Sequence, residues 1–164
     1  MAASRDDRQQ RLSVAVRDNR ARVWHDRIQA LLALQIEPSS FRRSAEVAAL
    51  EALVVERRKD FYGVSRRRWT IDLQAEAITT LCRFSAVDQP VVLMGVEPSE
   101  FFAVALTNAG FLQQPEALVD AVPYFAVVAE CGNGGLIFEK SWTDPGEGVW
   151  SELATWGSFE RLSR

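Results

Sequence analysis

The chain has 164 residues, of which 48% are hydrophobic and 25% are charged, and its formal net charge is -3. This composition excludes a disordered chain, and the length suits one domain, or one domain with an appendage. No apolar run reaches the roughly 20 residues of a membrane-spanning helix and residues 1–11 lack the apolar core of a secretory signal, so we expect a cytoplasmic protein with no membrane partner.

The charge is divided unevenly along the chain. Residues 1–68 hold 15 Lys and Arg against 9 Asp and Glu, whereas residues 69–164 hold 4 against 13. The two parts therefore carry +6 and -9. This division predicts a basic helical hairpin over residues 1–68 and an acidic α+β domain over residues 69–164, either as separate units or as one integrated domain.

The N-terminal part has the periodicity of helices. Over residues 8–36, apolar side chains recur at three- and four-residue steps, apart from a polar gap at Asn19. This predicts one long helix, or two with a break near Asn19, ending before Pro38. A second helix is predicted over residues 45–62, with small residues along one side for close helix packing and a stop at Gly63.

A small sheet covered by helices is predicted for the remainder. Residues 91–96, VVLMGV, are continuously apolar, which is typical of an interior strand buried on both faces. Further helices are predicted over residues 73–84, 98–110, 115–122 and 149–162, although the alternation at 69–73 leaves a short strand as an alternative there. The predicted fold class is therefore α+β: an N-terminal helical hairpin, then a small sheet of one buried strand plus a β-hairpin, covered by helices.

The segment ECGNGGLIFEKSW, residues 130–142, admits three interpretations: a phosphate-binding loop, a loop carrying a cysteine nucleophile, or a hairpin turn. Asn133-Gly134 favours a type I′ turn, and a four-residue loop would place alternating apolar residues of both strands on one face. In that register Cys131 points toward the core. Glu130 and Glu139 then lie on the open outer face.

The two chemical interpretations of this segment lack residues that they need. A phosphate-binding P-loop requires Lys and Ser or Thr after its glycines, whereas Leu136 follows here. A nucleophilic Cys131 requires an exposed thiol and a base, and the only histidine is His25. Because the cysteines Cys82 and Cys131 are far apart in sequence, we expect reduced, buried thiols, no metal site and no cofactor.

Carboxylates support an alternative, enzymatic hypothesis. Glu97 and Glu100 follow the predicted central strand, at the end where open α/β sheets bind ligands. With Asp144 or Glu147 they would suit a small carboxylate-dependent hydrolase. Helix capping and solvated loop charge explain the same residues, so the sequence assigns no catalytic residue.

The preferred hypothesis is a protein-binding module of the inhibitor, immunity or chaperone-like kind. The C-terminal part combines acidic residues with tryptophans, which is typical of an aromatic hot spot rimmed by acid and favours a basic protein partner. The predicted partner-binding residues are Glu130, Glu139, Asp144, Glu147, Trp150 and Glu152. A third hypothesis is nucleic-acid binding through the basic N-terminal helices. Its predicted residues are Arg57, Arg58, Arg66, Arg67 and Arg68.

Overall fold

Helices dominate the chain before Val91 and strands dominate it afterwards. The structure is a computed structural model that describes residues 5–31, 37–40, 42, 44–62, 73–85, 89–96, 101–106, 111–142 and 149–159. The helices are α1 (Arg5–Leu31), α2 (Ser44–Tyr62), α3 (Leu73–Ser85) and α4 (Pro115–Ala121). The strands are β1 (Val91–Val96), β2 (Phe101–Leu106), β3 (Tyr124–Ala129), β4 (Gly134–Trp142) and β5 (Val149–Gly157).

The strands form one antiparallel sheet in the order β2-β1-β3-β4-β5. β1 pairs with a strand on each side, so that Val91 lies between Leu106 and Ala129. Residues 91–95 are all buried. The predicted α+β class is confirmed, and β1 is the interior strand that its apolar sequence predicts.

Each face of the sheet has its own hydrophobic cluster. Because successive strand residues point to opposite faces, Val91 and Leu93 belong to the first cluster, and Val92 and Met94 to the second. The first face is covered by α3, α4 and Ile28 of α1, and the second by α2. Burial of a large apolar side chain contributes about 1.5–3 kcal/mol, so the two clusters are the main stabilising feature of the fold.

Both N-terminal helices take part in these clusters. α1 is continuous, without the break considered near Asn19, and α2 begins and ends close to its predicted bounds. Arg17 Nη2 lies 2.8 Å from Glu51 Oε2, which connects α1 to α2. Ile28 of α1 and Val54 of α2 are fully packed against opposite faces of the sheet. The helices thus share their hydrophobic cores with the strands.

The packing face of α2 differs from the predicted one. The alanines that were expected to face a neighbouring helix are exposed, and they are Ala45, Ala48, Ala49 and Ala52. Val47 and Val54 are instead buried against the sheet. The larger apolar side chains occupy the sheet-facing side because they remove more apolar surface from water.

Helix predictions succeed for α3 and α4 and fail for β2 and β5. The run FFAVAL, residues 101–106, was expected in a helix but forms β2 beside β1. Residues 149–157 were also expected in a helix but pair with the whole of β4. A short apolar run does not distinguish a helix from a strand by its period, and here pairing with a distant strand decides the outcome.

The connection between β3 and β4 is a turn, but its register is not the predicted one. Pairing ends at Val128 opposite Gly135, whereas Gly132 was predicted opposite Gly135. The positive φ of 74° is at Gly132, whereas Gly134, a central residue of the predicted type I′ turn, has no positive φ. The predicted type I′ turn is therefore wrong, although the shift is an even number of residues and leaves the division between the two faces unchanged.

β3 and β4 stop pairing before the turn, because β3 is also held beside β1 and β4 beside β5. The amide of Glu130 donates to the carbonyl of Pro90, at 3.0 Å, which holds the end of β3 beside β1. The carbonyl of Asn133 accepts from the amide of Ser158, at 3.2 Å, which holds the start of β4 beside the end of β5. These backbone contacts leave a wider loop than a two-residue turn needs.

Candidate functional site

Three residues of the predicted acidic partner-binding surface have described side chains, and they differ in exposure. Glu139 and Glu152 lie opposite each other on β4 and β5 and are 3% and 2% exposed. The prediction that Glu139 lies on an open face is therefore wrong. Glu130 is exposed at the end of β3. The other predicted residues lie outside the described residues, wholly or in their side chains, and they are Asp144, Glu147 and Trp150.

The buried carboxylates belong to a contact between α2 and the sheet. Glu139 lies between Tyr124 and Glu152 across three neighbouring strands. Arg58 of α2 reaches this row, with Nε 2.8 Å from Glu139 Oε1. Like charges directly opposite each other on two strands repel, and the guanidinium offsets that repulsion. Glu139 therefore contacts α2, and neither of the two carboxylates lies on an exposed surface.

The two described residues that are predicted to bind nucleic acid differ in exposure. Arg57 is exposed on α2, whereas Arg58 is directed at Glu139 and its side chain is only 19% exposed. Residues 66–68 lie outside the described residues. The described part of the chain therefore offers one accessible arginine from the predicted set.

The cysteines differ from the prediction, because Cys82 and Cys131 are both exposed. Gln89 Nε2 lies 3.2 Å from Cys131 Sγ, near the start of β1. His25 is buried on α1, and its neighbour Trp24 lies against Gly95, near the other end of β1. The only histidine is therefore not beside Cys131.

The structure does not describe the carboxylates of the hydrolase hypothesis. Glu97, Glu100, Asp144 and Glu147 all lie outside the described residues. Among the residues that are described, no group of three or more His, Cys, Asp and Glu side chains could hold a metal ion. None of the helices traced in the structure combines the length and apolar character needed to cross a membrane.

A groove between α2 and the β3–β4 turn is a concave site beside one of the predicted binding residues, Glu130. We call it the α2 groove; its volume is about 460 Å³. The described residues that line it are Arg42, Glu46, Val47, Ala49, Leu50, Leu53, Val92, Glu130, Cys131 and Gly132. Its volume is within the range of ligand sites in proteins, roughly 300–1,000 Å³.

The floor of the α2 groove is apolar and continuous with the second cluster. Val47 and Val92 belong to that cluster, and Leu50 and Leu53 pack against it. Gly132 completes the floor in a left-handed conformation that favours glycine. A Cβ at Gly132 would lie 3.8 Å from the methyl groups of Leu50 and Leu53, so the absence of a side chain keeps this end of the groove open.

The rim of the α2 groove is charged. Arg42 Nη2 lies 3.2 Å from Glu130 Oε1, and the two side chains are 40% and 47% exposed. Glu46 on the first turn of α2 adds a second exposed carboxylate. Among the described lining residues the rim carries two negative charges and one positive charge. The described lining therefore combines an apolar floor with a rim that has one more negative than positive charge.

Sequence reasoning identified Glu130 but missed the rest of the α2 groove. The signal that was available is the spacing of Val47, Leu50 and Val54 on α2, which marks a sheet-facing side at helical period. Nothing local to α2 indicates that the turn after β3 lies against it. Comparison with models of protein families, with curated protein sequences and with solved structures found no match for this chain.

Proposed function

We propose that the protein is a small protein-binding module, and that the α2 groove receives an exposed segment of a basic protein partner. The segment would place a large apolar side chain on the groove floor and an adjacent Lys or Arg against the rim. The observation that carries the proposal is the apolar floor beneath a net negative rim. Apolar concave sites with few convergent polar groups are typical binding sites.

The floor supplies the affinity in this proposal. Leu50 and Leu53 are half-buried, so part of their apolar surface remains available to a ligand. Removing apolar surface from water stabilises a complex by about 25 cal/mol per Å² before the costs of association. A Leu, Phe or Trp side chain of the partner is the best match for such a floor.

The rim supplies the charge preference. The Arg42–Glu130 pair is exposed, and exposed pairs typically contribute about 0–1 kcal/mol. A partner cation can therefore share or take the Glu130 carboxylate at little cost. Glu46 lies on the same rim and adds a second carboxylate that attracts positive charge.

This proposal keeps the basic partner predicted from the sequence and changes the surface that binds it. Glu130 remains in the site, whereas Glu139 and Glu152 are buried and Arg58 of α2 contacts Glu139. The described lining of the groove contains no histidine, and Cys131 has Gln89 beside its sulfur. A binding role therefore fits the described chemistry better than a nucleophilic one.

Selection of peptides by the full chain tests the proposal. A display library of random short peptides, panned against the immobilised protein, should enrich sequences in which a large apolar residue is next to Lys or Arg. Free competitor peptide of the enriched sequence should elute them. Enrichment of acidic sequences, or no enrichment above the bare support, would contradict the proposal.

A further inference from the structure

Exposed hydrophobic side chains are concentrated on one helix. Among the side chains that the structure describes, the exposed large hydrophobic ones are Leu12, Val14, Val16 and Val23, and all belong to α1. Leu12, Val16 and Val23 are 61%, 48% and 60% exposed. Single exposed apolar residues are common, but three on one side of a helix indicate an interaction surface.

The three residues follow the spacing of a coiled coil. Steps of four, three and four residues connect Leu12, Val16, Asn19 and Val23. This is the alternation of d and a positions in a heptad, with Val16 and Val23 at a and Leu12 and Asn19 at d. We call these four residues the α1 seam. Asn19 is its single polar member. The adjoining a and d positions, Gln9 and Asp26, are polar and mark the ends of the apolar stretch.

The α1 seam faces away from the body of the protein. In the same heptad frame Trp24, His25 and Ile28 occupy the b, c and f positions, on the opposite side of the helix. Trp24 packs against the first cluster, and His25 and Ile28 are buried. Residues 5–16 are exposed throughout. α1 can therefore stay anchored while its seam contacts a second helix.

The positions that flank the α1 seam are basic. The e and g positions carry four exposed arginines, Arg8, Arg20, Arg22 and Arg27, against one exposed carboxylate, Asp6. In coiled coils these positions face the e and g residues of the partner and select it by charge. A partner with carboxylates at its own e and g positions complements this surface.

We propose that the α1 seam binds an amphipathic helix of another protein that carries Glu or Asp at its e and g positions. A second copy of α1 would bring the same excess of arginine and so is a poorer match. A lipid surface is matched by a broad apolar face with aromatic residues, whereas this seam is narrow and contains Asn19. The surface is separate from the α2 groove, and the proposal does not depend on the groove binding anything.

Binding of two synthetic helices to the full chain tests the proposal. Each probe has about three heptads with Val at a and Leu at d, and the probes differ only in Glu or Lys at every e and g position. Fluorescence anisotropy should show saturable binding of the Glu helix. The Lys helix should bind at least about tenfold more weakly, and added salt should weaken binding of the Glu helix.

Matched substitutions locate the binding to the seam. Val16→Asp should weaken binding of the Glu helix more than about tenfold, because it places a charge in the apolar contact. Val14→Asp is the control, since it makes the same change at an f position of the same helix and should alter binding less than about twofold. Both side chains are about half exposed, so circular dichroism melting should show both variants folded. Arg22→Glu combined with Arg27→Glu should transfer the preference to the Lys helix.

Several results would overturn the proposal. Equal binding of the Glu helix to the Val16→Asp and Val14→Asp chains would place the contact elsewhere, and so would failure of both helices to bind the wild-type chain. Self-association that is lost in Val16→Asp would assign the seam to a second copy. Binding to phosphatidylserine vesicles without binding to the Glu helix would assign the seam to a membrane surface.

Discussion

Nε of Arg58 lies 2.8 Å from Oε1 of Glu139, across the contact between α2 and β4. The two side chains are 19% and 4% exposed, so this ion pair is largely removed from water. It joins the basic N-terminal part of the chain to the acidic C-terminal part. The charge division seen in the sequence is thus partly an internal complementarity rather than a surface for a partner.

Removal of Arg58 should destabilise the fold strongly. Arg58→Ala leaves Glu139 and Glu152 opposite each other in a buried position, and we expect a loss of about 3 kcal/mol or more in the free energy of unfolding. Arg57→Ala is the control, because Arg57 is exposed on the same helix and should cost less than about 1 kcal/mol. Urea unfolding measures both. Equal effects of the two substitutions would show that the buried pair does not hold α2.

Removal of Arg42 should strengthen binding of basic peptides to the α2 groove. Arg42 is the positively charged residue next to Glu130, and its loss leaves the carboxylate to the ligand. Arg42→Gln should raise affinity for a selected peptide by about two- to tenfold, most clearly at low salt. Isothermal titration calorimetry checks the change. Weaker binding by this variant would mean that Arg42 itself contacts the ligand.

Stability should depend on pH through Glu51. Burial raises the pKa of Glu51 above its ordinary value of 4.5, while the positive charge of Arg17 and its hydrogen bond lower it, and burial dominates. Because its pKa is higher in the folded state than in the unfolded state, protonated Glu51 stabilises the fold. This contribution is complete below about pH 4.5 and is lost as pH rises through the folded-state pKa. As pH rises from about 4.5 through the folded-state pKa of Glu51, the wild-type chain should therefore lose stability relative to Glu51→Gln.

Denaturant unfolding of both proteins from about pH 4 to about pH 7 measures this difference. Arg17→Gln serves as a second check, since loss of its charge should raise the pKa of Glu51 further. If the Glu51 carboxyl is not desolvated, the difference in unfolding free energy between wild type and Glu51→Gln should not change with pH. A difference that grows in favour of wild type as pH rises would contradict the raised pKa.

A methyl group at Gly95 should disturb the contact between α1 and the sheet. The indole of Trp24 lies directly against Gly95, where a Cβ would overlap it. Gly95→Ala should cost about 1–3 kcal/mol in the free energy of unfolding, as overpacked cores do. In a Trp24→Leu background the same substitution should cost less, because the smaller side chain leaves room. An equal cost in both backgrounds would show that Trp24 is not the obstacle.

Several elements of the fold can be predicted from the sequence because local residue patterns determine them. The helical period of α1, the Pro115 start of α4 and the unbroken apolar run of β1 each predict their element. The two edge strands, β2 and β5, have sequences that predict helices. Their conformation depends on pairing with β1 and β4, and neither pairing has a local signature.

The candidate site was less predictable than the fold, because distant segments build it. Arg42 and Glu130 are 88 residues apart in the chain and meet only after α2 packs on the sheet. Glu139 likewise contacts Arg58 of α2, a partner that the hairpin sequence does not indicate. The hairpin pattern did divide the two faces correctly, but it could not show that both would be covered.

The most direct test of the α2 groove is the affinity of one selected basic peptide for two charge-reversed chains. Glu46→Lys places a positive charge on the rim, and Glu56→Lys makes the same change at an exposed position of α2 outside the groove lining. The account predicts that the first weakens binding at least about tenfold and that the second changes it less than about twofold. Equal affinity of the two variants would contradict it.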